Sequence, residues 1–209
     1  LPKIVKFMAT LKERLHKWKE TRTAWQKAGD ILFWMLLILL VIPGPRKAIS
    51  TTVNRLALLI KSPGMMAEEK QVGLSENDFN WTLQNREGEL FTLQTVKGQP
   101  VFLNFWATWC PPCVAELPEI QRTYQKYWES VAFLLVTNQE PGVVEAFLDK
   151  HGYELPVVYA AGPTPGAFEH GSIPTTYIIS PEGLIVVKKT GAVNWDSKGT
   201  DRIFKQLIR

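Results

Sequence analysis

The sequence is poor in the residues that build metal centres: it has two cysteines and three histidines in 209 positions. A structural zinc site needs four such ligands, and His16, His151 and His170 stand at no ligand-like spacing from the cysteine pair, so neither a metal nor a cofactor is expected. A purely structural disulfide between those cysteines would close a loop too small to stabilise much. Acidic residues are scarce at one end only. Residues 1–61 hold 12 lysines and arginines against 3 acids, whereas residues 70–209 hold 12 against 15. The net charge of +4 therefore belongs to the N-terminal part. The rest carries no basic stripe, which argues against nucleic acid as a partner. A long apolar run is also missing: the uncharged stretch over residues 31–42 has 12 residues, against the ~20 that cross a bilayer.

What is present is Trp109-Cys110-Pro111-Pro112-Cys113, directly after the apolar run 101–106 and before a helical pattern. A thiolate in the first turn of a helix feels the positive end of the helix dipole and unpaired backbone N–H groups, so its pKa falls. A C-x-x-C pair at a strand-to-helix turn is a redox motif. Pro111 and Pro112 have no N–H, which leaves the amides of Cys113 and Val114 as donors to Cys110.

The N-terminal part divides into three. Ile4, Met8, Leu11, Leu15, Trp18 and Trp25 fall on one helical face among basic residues, so residues 1–29 read as a basic amphipathic segment suited to an anionic membrane surface. Residues 30–45, with the apolar run ending at Pro43-Gly44-Pro45, are expected to be a hydrophobic membrane anchor; thinning of the bilayer and snorkelling of Lys27 and Arg46 would absorb the short length. The alternatives are a buried core helix, a re-entrant segment or a signal peptide. Residues 46–74 are juxtamembrane segment and linker, with a mixed stretch over 49–60. The distribution of lysine and arginine favours a cytoplasmic N terminus with the remaining domain outside.

Over residues 75–209 the pattern predicts an α/β domain. Residues 79–83 and 90–93 read as an N-terminal hairpin, 101–106 and 131–136 as buried strands, 114–128 and 142–151 as helices. A short strand over 155–159, a Gly/Pro-rich loop with a short helix at 167–170, a hairpin of 175–179 with 184–188, and a helix over 197–208 complete a central mixed sheet with helices on both faces. His151 and His170 read as ordinary surface or loop residues, Glu119 as a solvated helix charge, and Trp106 as core.

Phe105-Trp106-Ala107-Thr108-Trp109-Cys110-Pro111-Pro112-Cys113, Ile173-Pro174-Thr175-Thr176-Tyr177 and the Pro181-Glu182-Gly183 turn resemble the thioredoxin-like TlpA/ResA group of membrane-tethered disulfide oxidoreductases. Asn104, where thioredoxins proper have a buried Asp, leans the same way. The resemblance implies a thioredoxin-like fold and an extracytoplasmic enzyme, single-pass in a bacterial inner membrane. It would take a protein disulfide as substrate and a membrane protein as electron donor, with cytochrome c maturation as one family role. Cys110, at the helix start and expected to be the more exposed of the pair, is the candidate attacking thiolate, and Cys113 would resolve the mixed disulfide. The family resemblance makes Pro174 a cis-proline facing them, with Ile173 meeting substrate through its backbone, and Trp109 flanks the docking surface. Glu116, one helical turn after Cys113, reads on spacing alone either as a proton acceptor or as a favourable acid near a helix N terminus. The resemblance favours the first.

Two other functions on related folds are weaker. A thiol peroxidase needs its cysteine in a Pro/Thr-rich loop, and no such motif is present. A copper-delivery protein of the Sco type resembles this fold but spaces its cysteines more widely and adds a histidine.

Overall fold

The computed structural model describes residues 23–41 and 62–208. Residues 1–22 of the amphipathic segment expected over 1–29, residues 42–45 of the anchor expected over 30–45 and the mixed stretch over 49–60 lie outside the described residues. The rest falls into two units, a helix in the first and the sheet-containing domain in the second.

Helix α1 spans Ala24–Val41. Ile31, Leu32, Phe33, Trp34 and Met35 are all exposed, and five consecutive residues exceed one turn, so the helix is apolar on every side over this stretch. Its N-terminal half carries Gln26, Lys27, Gly29 and Asp30. Among the described residues no helix is long and apolar enough to cross a membrane.

The second unit is built on one eight-stranded sheet with the order β1-β8-β7-β4-β5-β6-β2-β3. The strands are β1 Val72–Gly73, β2 Thr82–Gln84, β3 Leu90–Thr92, β4 Val101–Phe105, β5 Ala132–Thr137, β6 Val157–Ala160, β7 Thr175–Ile179 and β8 Leu184–Thr190. Strands β4, β5 and β6 run parallel, joined by α3 (Pro111–Tyr127) and α4 (Pro141–His151); the other pairings are antiparallel. Central β4 is buried at all five positions, as expected for a strand covered on both faces.

Helices flank the sheet unequally. Two successive βαβ crossovers of one hand, stepping the same way across the sheet, put α3 and α4 on the same face. The last helix, α5 (Lys198–Leu207), joins them there. Leu117 and Ile120 of α3, Val144 and Leu148 of α4, and Ile203 and Phe204 of α5 share one core with Phe102, Phe133 and Trp195. The opposite face is covered by shorter pieces: Phe79 of the four-residue helix α2 (Glu76–Phe79), Trp81, and Leu93 and Phe168 from two 3₁₀ turns, packed on Leu103, Phe105 and Tyr177.

Helix α2 displaces the start of the expected hairpin from residue 79 to Thr82. Its cause is a capping box: the Ser75 N–H donates to Asp78 Oδ2 at 2.8 Å, and the Asp78 N–H donates to Ser75 Oγ at 3.3 Å. The hairpin β2–β3 then pairs through β2 with β6, Leu83 opposite Ala160.

Gly183 closes the β7–β8 turn with φ +84°, and a Cβ there would stand 3.1 Å from the Phe79 ring. Gly183→Ala should therefore lose ~1–2 kcal/mol, lowering Tm by about 2–8 °C in a circular dichroism melt. An unchanged Tm would mean the turn relaxes freely.

Candidate active site

Cys110 is the N-cap of α3, with Pro111 and Pro112 in the first turn, where a missing N–H costs nothing. Cys110 and Cys113 are joined in a disulfide, their Cα atoms 5.3 Å apart. Both are buried, Cys110 at 4% exposure and Cys113 at 0%. The Cys113 N–H points at Cys110 Sγ, 3.3 Å away. The second expected donor is not free for sulfur: the Val114 N–H donates to the Cys110 carbonyl oxygen at 3.0 Å, closing the first helical turn.

Three loops surround this turn. The Ile173–Pro174 peptide bond is cis, and the Ile173 carbonyl oxygen lies 3.8 Å from Cys110 Sγ. Trp109, 66% exposed, stands outside the pair. The loop entering the helix is clamped by Gln139: the Thr108 N–H donates to Gln139 Oε1 at 2.7 Å, and Gln139 Nε2 donates to Thr108 Oγ1 at 3.0 Å. A cavity of about 270 Å³ opens beside them, lined in part by Trp106, Trp109, Val136, His170 and Ile173. His170 lies in a loop, as expected, but borders this cavity. Its ring stacks on Phe105 with centroids 4.0 Å apart, and its Nδ1 lies 2.9 Å from the Phe168 carbonyl oxygen.

Glu116 lies one helical turn beyond the disulfide. Residues 113, 116, 117, 120 and 123 form the buried stripe of α3, so this carboxyl group faces the sheet at 1% exposure. On β4, Asn104 alternates with Phe102 onto the same face, and its Nδ2 donates to Glu116 Oε1 at 2.9 Å and to Thr176 Oγ1 at 2.7 Å. The Val193 N–H and Trp195 Nε1 both donate to Glu116 Oε2, at 3.1 and 3.3 Å. Burial pushes Glu116 up to about 8; the Val193, Asn104 and Trp195 donors pull it back, and nearby Glu119 adds slightly to the rise. Asn104 Oδ1 is buried and unpartnered. Turning the amide about its last torsion would offer that oxygen to a protonated Glu116. Glu119, expected in solvent, is half-covered and pairs with Arg122 at 3.2 Å.

Spacing along α3 brings Glu116 to the site, and the Ile173–Pro174 loop meets it across the sheet. Gln139, His170, Val193 and Trp195 gave no sequence signal as site residues. Among the described residues no group of three or more His, Cys, Asp or Glu is placed to hold a metal ion.

Residues 77–188, more than half of the chain, match the family model described as AhpC/TSA family. The chain belongs to that family. Within it, the domain is 35% identical over 130 residues to the thiol-disulfide oxidoreductase ResA of Halalkalibacterium halodurans, covering 61% of this chain and 74% of that one. A ResA of Bacillus thuringiensis is 29% identical over 163 residues, covering 77% and 88%. Among solved structures, the exposed lipoprotein thioredoxin Etrx1 of Streptococcus pneumoniae superposes with a TM-score of 0.52 at 26% identity, covering 61% of this chain and 98% of that one. These relatives place the AhpC/TSA-family domain among ResA-like proteins of thioredoxin-like fold.

The buried carboxyl group predicts a pH dependence of stability in the oxidised protein. Unfolded, Glu116 releases its proton near 4.5, whereas folded it keeps it to about 8. Between those values the folded state holds the extra proton, so stability falls as pH rises, by ~1.4 kcal/mol per pH unit at most, and levels off above the folded value. E116Q should remove this contribution, since an amide oxygen can still accept from Val193 and Trp195. Urea unfolding at pH 5 and pH 8 measures the difference, and equal slopes for both proteins would refute the assignment.

Proposed function

We propose that this protein is a thiol-disulfide oxidoreductase that reduces protein disulfides through Cys110 and Cys113. The observation that carries the reading is the joint placement of a two-cysteine helix cap, a cis-proline loop within 4 Å of it and a buried carboxyl group one turn below. In the reduced enzyme Cys110, as thiolate, attacks one sulfur of the substrate disulfide. The S–S bond breaks, the other substrate sulfur leaves as a thiolate and takes a proton, and a mixed disulfide forms. Glu116, ionised, accepts the Cys113 proton. The Cys113 thiolate attacks Cys110 Sγ, the second substrate sulfur departs as a thiolate, and the Glu116 proton returns to it directly or through solvent. Two electrons pass from the dithiol to the substrate, leaving the Cys110–Cys113 disulfide. An external dithiol, carried by a membrane electron-donor protein, must reduce that bond for another cycle.

Ile173 and Pro174 supply the backbone edge against which an extended substrate segment pairs, and exposed Trp109 supplies apolar contact beside it. The domain works outside the cytoplasm of a bacterium, tethered to the inner membrane, with disulfides made during cytochrome c maturation among its substrates. The tether reading is supported by the exposed apolar side chains of residues 31–35 in α1 and by the excess of lysine and arginine in residues 1–61.

Cys113→Ala should stall the reaction as a mixed disulfide at Cys110, recoverable with its substrate after acid quenching and identifiable by mass spectrometry. The wild type should reduce insulin, and Cys110→Ser should abolish that activity. No cysteine-linked protein from Cys113→Ala, together with no insulin reduction by the wild type, would overturn the assignment.

A further inference from the structure

The segment between β8 and α5 meets the site at several points that the chemistry above does not use. Gly191 leaves β8 at φ +83°, and its N–H donates to the Pro174 carbonyl oxygen at 2.8 Å. Two and four residues on, the Val193 N–H and the Trp195 indole N–H converge on Glu116 Oε2. Asp196 then reaches the outer side of α3, where Arg122 Nε donates to it at 2.7 Å and Lys126 pairs with it. One helix thus presents a carboxyl group inward to the donors of this segment and two cations outward to its acid. Trp195 is fully buried and stands edge-on to Phe102 with ring centroids 5.0 Å apart, so its indole has one rigid setting.

The other groups facing Glu116 are few. From α3 they are Cys113 one turn before it and Glu119 one turn after. From β4 and β7 they are the neutral Asn104 and Thr176. The segment itself offers only neutral donors, because the charge of Asp196 is directed to Arg122 and Lys126.

We propose that Trp195 is a positioning residue for disulfide exchange: with the Val193 N–H it fixes the Glu116 carboxyl group and sets the pH at which that group accepts the Cys113 proton. The inference rests on the reading of the protein as an oxidoreductase. Its physical basis is that donors aimed at one oxygen favour the ionised carboxylate, and each donor lost makes ionisation harder. Asn104 can turn its amide to suit either charge state, whereas the Trp195 N–H and the Val193 N–H can only donate. The two fixed donors therefore set the bias, and the salt-bridged Asp196 keeps them in place.

The test is a pH titration of the protonated carboxyl stretch of the full chain by infrared difference spectroscopy, with E116Q identifying the band by its loss. W195F, which keeps an aromatic ring and removes the N–H, should raise the midpoint by about one pH unit, a tenfold change in the dissociation constant. The pH profile of insulin reduction should move upward with it. D196N, which removes the charge held by Arg122 and Lys126, should shift the same midpoint in the same direction by less. A W195F midpoint equal to that of the wild type, with the variant folded, overturns the proposal. So does a D196N variant that loses thermal stability with no movement of the band. The titration needs no turnover: a shifted band without insulin reduction by the wild type would remove the oxidoreductase reading and leave the positioning of Glu116 standing. An unmoved band with active enzyme would do the reverse.

Discussion

A carboxyl group with no access to water sits one helical turn below the dithiol, and satisfying it constrains the whole site. Burying Glu116 charged and unpartnered would cost several kcal/mol, so the fold must bring donors to it from separate parts of the chain. One comes from β4 through Asn104, and two come from the segment after β8. This requires α3 to begin where it does, because starting one residue later would rotate Glu116 off the stripe that faces the sheet. It also requires β4 to direct Asn104 and Phe102 to one face, and β8 to release the chain beside α3.

The cap of α3 is economical in the same sense. Two prolines remove donors from the first turn, and the Val114 N–H is spent on the Cys110 carbonyl, which leaves the Cys113 N–H as the backbone donor at Cys110 Sγ. A thiolate at Cys110 therefore draws on one local donor and the helix dipole. Position comes from elsewhere: Gln139 grips Thr108 from the β5–α4 loop, and the Gly191 N–H holds the Pro174 carbonyl from the end of β8. The dithiol is thus fixed from both sides by loops at the ends of neighbouring strands, while Trp109 and the cavity beside it remain open to an incoming chain.

Much of the fold was legible because its signals are local. The apolar runs that became β4 and β5 needed no partner to be recognised, and β7 was read at its observed bounds, Thr175–Ile179. The Ser75–Asp78 capping box was also local, but a strand pattern beginning at Phe79 masked it. In the site, Cys110 and Cys113 followed from spacing, whereas the helical offset of Glu116 left two readings open and the family resemblance favoured the proton acceptor. The cis-proline came through family resemblance, since an isolated Ile-Pro pair gives no sign of its isomer. Glu116's partners were not legible: Val193 and Trp195 lie 77 and 79 positions from it, and only the sheet order returns them to α3. His170 was missed for a related reason, because stacking on Phe105 depends on the path of a loop that no periodicity describes.

The environment of Glu116 also suits it to the proton it is proposed to carry. Proton transfer between two groups is most efficient when their affinities are close. An ordinary glutamate near 4.5 holds its proton far more weakly than a thiol does, and is a poor acceptor for a thiol proton. Burial raises Glu116 to about 8, toward the range in which thiols release their protons. Burial alone would carry the carboxyl group still higher, leaving too little of it ionised near neutral pH to act as a base, and the three donors oppose that rise. The apolar core and the donors from β4 and the 191–196 segment thus act in opposite directions on one group. Their balance sets how tightly this carboxyl group holds its proton.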